Sequence, residues 1–85
     1  MSGAKISVEE LAVKMDNFYY DYDYYNYVDS YESREEGVKA VYNMLVDKSY
    51  SHVLDELSDI IEYEEGTEDD IKAAKELLEL LQQLD

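Results

Sequence analysis

Apolar residues recur along this chain at helical spacing in four stretches. Val8, Leu11, Ala12 and Met15 share one face at the 3.6-residue period. The stretch opens on Ser7 with Glu10 three residues later, the pattern of a capping box, and Ile6 and Leu11 are placed to form a hydrophobic staple. This predicts a helix over residues 8–19. Behind Ser33 and Glu36, a second capping-box pair, Val38, Val41, Tyr42, Leu45 and Val46 predict another over 34–47. Gly37 lies in its first turn, costs helix propensity there, and marks a close approach by another element. Leu54, Leu57, Ile60 and Ile61 predict a third helix, capped by Ser49 or Ser51 and stopped at Gly66. Thr67 with Asp70 is a further cap. Ile71, Ala74, Leu77, Leu78, Leu81 and Leu84 then define a fourth helix, with Asp69 and Asp70 in its first turn, where carboxylates suit the helix dipole.

Phe18 to Tyr31, FYYDYDYYNYVDSY, obeys neither period throughout. Tyr20, Tyr22 and Tyr24 alternate as in a strand, whereas Phe18, Tyr22 and Tyr25 continue a helix. No second strand candidate exists to pair with it, so an isolated strand would leave its backbone groups unmet. A turn or irregular helix whose tyrosines cover the core is the expectation. The fold class is therefore all-α: one compact bundle of three or four short helices with a tyrosine-rich turn or irregular helical segment, spanning residues 1–85 as a single domain. There is no Pro, linker or internal repeat. The wide Leu face of the last helix suits packing within its own monomer; exposed, it would serve a partner or a second copy.

Length and composition narrow the function. A chain of 85 residues buries only about 60 to 65% of its unfolded surface, which excludes a large enzyme fold. With no Cys there are no disulfides, thiol chemistry or cysteine-ligated zinc. Apolar runs of two or three residues neither span a membrane nor form a signal-peptide core, so a cytoplasmic location is expected. The 22 acids against 7 bases give a formal charge of -15. The cations Lys5, Lys14, Arg34, Lys39, Lys48, Lys72 and Lys75 are scattered, and direct binding of a nucleic-acid backbone is not expected.

Candidate chemistry is sparse. DYDYYNYVDSYE, Asp21 to Glu32, places Asp21, Asp23, Asp29 and Glu32 at positions 1, 3, 9 and 12 of an EF-hand loop register, with Val28 at position 8. These are the candidate calcium ligands. Tyr25 at position 5 and Asn26 in place of Gly at position 6 depart from that pattern. His52 is the only histidine and has no triad around it, and acid pairs such as Glu35 with Glu36 fit a solvated face. Gly3, Gly37 and Gly66 form no phosphate-gripping loop. No catalytic residue and no cofactor are expected.

Two features remain as interaction surfaces. Of ten tyrosines, seven lie between residues 19 and 31, more than so small a core absorbs, and Tyr20, Tyr24 and Tyr27 are the candidates for a protein-binding face. Asp55 to Asp70 holds nine acids and no base; Asp55, Asp59, Glu62, Glu65 and Asp69 are its candidate contacts to a basic protein. Carboxylates held in rows on helices also imitate DNA phosphates, which makes a DNA-mimicking inhibitor of a DNA-binding protein the alternative. The charge is uneven. Residues 1–43 hold 9 acids and 4 bases, a net -5, and residues 44–85 hold 13 acids and 3 bases, a net -10.

At Lys14 to Val38, KMDNFYYDYDYYNYVDSYESREEGV, the chain resembles the small LtrC-like domain associated with large polyvalent proteins of phages, plasmids and conjugative elements. The shared pattern is an apolar helix ending near Met15 and Asp16, a Phe/Tyr-rich segment and an acidic helix start. The resemblance implies an accessory protein of a mobile element with an interaction or counter-defence role, and carries over no catalytic residue. The function expected is a non-catalytic acidic helical module for protein–protein interaction, followed by the DNA mimic and then a degenerate EF-hand-like calcium module.

Overall fold

A computed structural model of the chain describes residues 6–84, which leaves Gly3 and Lys5 outside the described residues. Among these residues five α-helices follow one another: α1 Val8–Tyr22, α2 Tyr24–Ser30, α3 Arg34–Val46, α4 Ser51–Glu62 and α5 Glu68–Gln83. The all-α bundle expected from the periodicity is present, with a higher helix count. The extra element is α2. The tyrosine-rich segment keeps helical geometry on both sides of Asp23, where φ -130° and ψ 54° break the path between α1 and α2. Asn26 bridges that break, its amide donating to both carboxylate oxygens of Asp23 at 3.0 Å.

α1 is the centre of the bundle. It packs on α2, α3 and α5, and α4 closes the far side against α5. Leu11, Ala12 and Met15 from α1 meet Val41 and Leu45 from α3, Val53, Leu57 and Ile60 from α4, and Ala74, Leu77 and Leu81 from α5 in one core. Tyr50, before α4, joins them. The predicted α3 stripe is wider than the buried one: Tyr42 and Val46 are exposed, because α3 buries only the narrow line that faces α1. Leu78 and Leu80 of α5 and its C-cap Leu84 are half-buried against the core, so the Leu face is largely used within the monomer.

The helix ends follow capping chemistry. Ser7 and Ser33 each accept from the amide three residues on, at 3.1 Å. Thr67 and Asp70 form the reciprocal box. Neither serine caps α4: its N-cap is Tyr50, without a side-chain bond, and Ser51 is already helical. Gly66 is not the stop of α4 either. The chain leaves that helix through Glu64 at φ 51°, with the Glu65 amide donating to the Ile60 carbonyl at 3.0 Å, a Schellman ending built without glycine. Gly66, at φ 104°, turns the loop towards Thr67 instead.

Candidate functional site

Asp16 is fully buried, as no other polar or charged side chain is among the described residues. It lies on the apolar side of α1, one helical turn after Ala12 and next to Met15, and desolvating a carboxylate there is costly unless both oxygens are met. Both are. The Tyr27 hydroxyl from α2 donates to Oδ1, and Arg34 Nε at the start of α3 donates to Oδ2 at 2.9 Å. Arg34 also donates to Asn17 Oδ1 and lies 4.2 Å from the centroid of the Tyr20 ring. One guanidinium thus meets a carboxylate, an amide and an aromatic face, a combination the planar Arg head supports and Lys does not. Gly37 closes the arrangement. A Cβ there would press on the Tyr27 hydroxyl and on Asp16 Oδ1, and would come within 2.8 Å of Tyr27 Cζ, so the close approach expected at this glycine is made by α1 and α2.

This knot decides the fate of the tyrosines. Tyr27 is buried, and Tyr20 is half-buried beneath Arg34, with its ring edge-on to Tyr24 at 5.2 Å and to Tyr27 at 5.4 Å. Of the three tyrosines expected on a binding face, only Tyr24 is exposed; its neighbour Tyr25, 81% exposed, is the most open ring of the segment. Burial first, then the hydrogen bond to Asp16, push the Tyr27 phenol up to about 12. Arg34 is held above its ordinary range chiefly by its hydrogen bond to Asp16.

The same geometry redraws the calcium loop. Asp21 sits in α1, Asp29 in α2, and Asp23 at the break between them with its carboxylate taken by Asn26. The twelve-residue register is wound into helix where an EF-hand requires an open loop, and no group of three acidic or imidazole side chains able to hold a metal ion occurs among the described residues. Asp21, Asp23, Asp29 and Glu32 are not brought together as one ligand set.

The acidic stretch is different in kind. Asp55, Asp59, Glu62, Glu65 and Asp69 are all exposed, the first three along α4 and the others in the α4–α5 loop and the first turn of α5. Asp55 to Asp59 spans a rise of about 6 Å and Asp59 to Glu62 about 4.5 Å. The Lys14–Glu76 and Arg34–Asp16 ion pairs both lie outside this stretch. Glu56, on another side of α4, accepts from the Tyr19 hydroxyl at 3.2 Å and ties the acidic helix to the tyrosine segment.

Asp16 and Arg34 were legible as a pair only in retrospect: an acid within an apolar stripe needs a buried partner, and Arg34 is the single arginine. Among the described residues no helix is long and apolar enough to cross a membrane. No family model, curated protein or solved structure matches the chain.

Proposed function

We propose that this protein is a non-catalytic helical module that engages a basic protein through the carboxylates of α4 and the loop after it. The observation that carries this reading is the exposure of Asp55, Asp59, Glu62, Glu65 and Asp69 in a stretch that contains no base. Like charges at helical spacing cost stability, and a surface that keeps them without cations between them is suited to steering a positively charged partner. Tyr24 and Tyr25 supply exposed aromatic area for a contact, whereas Tyr20 and Tyr27 serve the fold. The resemblance at Lys14 to Val38 supports placing the module among accessory proteins of mobile elements.

The second reading, a DNA mimic, is favoured by the run of exposed carboxylates along α4. Its steps of about 4.5 to 6 Å are sparser than the charge of one DNA strand, about one per 3.4 Å of axis, so a mimic would need the carboxylates after α4 as well. Both readings are tested by measuring association with basic DNA-binding domains at low and high salt, using the protein and a triple charge reversal at Asp59, Glu62 and Glu65. Binding that weakens with salt and is abolished by the reversal supports the module. Displacement of duplex DNA from the same domain singles out the mimic, and binding indifferent to both salt and reversal overturns the two together.

A further inference from the structure

Between α2, α3 and α4 lies a cleft of about 220 Å³ that neither proposed surface uses. Tyr19, Tyr27 and Tyr31 supply aromatic walls and Met44 an apolar one; Glu56 and His52 also line the cleft, while the Asp23 carboxylate is held by Asn26. No lysine or arginine lines it. We propose that this cleft is a binding site for a small organic cation, an ammonium group on an apolar body, held against the tyrosine rings with Glu56 as counter-charge.

One general property of aromatic rings and two observations carry the assignment. Aromatic rings attract cations through their negative faces, and this attraction is the common basis for recognising alkylated ammonium groups. Tyr27 is stacked edge-on to Tyr31 with centroids 5.2 Å apart, so two of the rings are fixed relative to one another before any ligand arrives. The Glu56 carboxylate is likewise anchored at the cleft by the Tyr19 hydroxyl. Burial, followed by the charge of Glu56, raises the Tyr19 phenol well above its ordinary range, so at neutral pH it remains a donor to that carboxylate. Arg34, 5.9 Å from the Tyr27 centroid, is engaged by Asp16 and lies outside the lining.

Size selects the ligand class. The cleft falls below the roughly 300 Å³ at which drug-sized pockets begin. It has room for a choline-sized ion or the end of a lysine side chain. Glu56 disfavours carboxylates and phosphates, since no lysine or arginine lines the cleft to offset it.

The test is a titration of the full chain followed by amide NMR, using choline, n-butylammonium and the uncharged carbon analogue 3,3-dimethylbutanol, and short peptides carrying lysine or trimethyllysine. Saturable shifts at Tyr31, Met44 and His52 with a cationic probe, and none with the alcohol, are expected. Tighter binding of a peptide than of the free amines assigns the cation to a protein side chain, and the reverse assigns it to a free metabolite-like amine. Glu56→Gln keeps an acceptor for Tyr19 and should weaken binding about fivefold. Tyr31→Leu keeps the apolar volume and should weaken it by a similar factor, with an unchanged thermal midpoint for Glu56→Gln guarding against a folding defect. Equal binding of the alcohol, shifts confined to Asp59, Glu62, Glu65 and Asp69, or silence from every cationic probe overturns the site. The acidic-surface reading stands or falls separately, because charge reversal at Asp59, Glu62 and Glu65 leaves the cleft lining intact.

Discussion

The two ends of the molecule handle charge in opposite ways. Around Asp16 the N-terminal helices bring a carboxylate inside and meet each of its oxygens with a donor fixed by another helix, so the charge holds α1, α2 and α3 in one arrangement. In the acidic stretch Asp55, Asp59, Glu62, Glu65 and Asp69 stay in water, where they add repulsion and leave the fold to Leu57, Ile60, Leu77 and Leu81. The lesson is that net charge alone does not reveal a surface. The acidic stretch has charge available, whereas Asp16, Tyr27 and Arg34 are committed to one another.

That contrast is sharpest at Arg34. Arg34→Ala strands a carboxylate with no access to solvent and removes the cation above Tyr20, for an expected loss of about 3 to 4 kcal/mol in chemical denaturation. Asp16→Ala frees a guanidinium whose side chain is 43% exposed and can return to water, leaving chiefly an unsatisfied Tyr27 hydroxyl, for about 2 to 3 kcal/mol. The order of the two is the check: a larger loss from Asp16→Ala would mean that the buried charge is not what makes the knot costly to open.

Gly37→Ala tests the same place sterically. Alanine is favoured over glycine by up to about 1 kcal/mol in a helix interior, so a stabilised variant is the outcome expected of an uncrowded site. Here the new methyl would meet Tyr27 and Asp16, and a net loss of about 1 to 3 kcal/mol is expected.

How much of this was legible follows from where the information sits. Caps and apolar periods are local, so Ser7, Ser33 and Thr67 announced the starts of α1, α3 and α5, and Leu11, Leu57 and Leu77 announced the core. The left-handed residue that ends α4 was misplaced at Gly66, because a Schellman ending can be built with Glu64 when the packing of the helix fixes its length. The tyrosine segment was ambiguous because its rings are sorted by tertiary partners. Nothing local distinguishes Tyr27, which reaches Asp16 eleven residues back, from Tyr25, which reaches water.

Alkaline titration probes the tyrosine-rich region without a mutation. Tyr27 is raised to about 12, and Tyr19 and Tyr22 are raised as well, all three first by burial, against an ordinary value of about 10. A raised phenol binds its proton more tightly in the folded state. Its stabilising contribution is complete below about pH 10 and is lost as pH climbs through the folded value. A late rise in tyrosinate absorbance, above about pH 10, should therefore coincide with loss of helical circular dichroism. A single phase near pH 10 with the fold intact would show that these rings are open to water.

The smallest expected effect belongs to the acidic face and carries its own sign. Asp59 lies four residues after Asp55 and three before Glu62 on α4, so Asp59→Asn removes repulsion on both sides. Like-charged pairs at this spacing cost about 0.2 to 0.5 kcal/mol each, and the variant should be more stable by a few tenths of a kcal/mol at low salt, with the gain fading as salt screens the pairs. Loss of stability would indicate that Asp59 is held by a donor within the molecule, as Asp16 is. A gain that persists at high salt would point to helix propensity instead of charge. Only the salt-sensitive gain identifies carboxylates kept at a cost to the fold, the state in which a surface is free to act on something else.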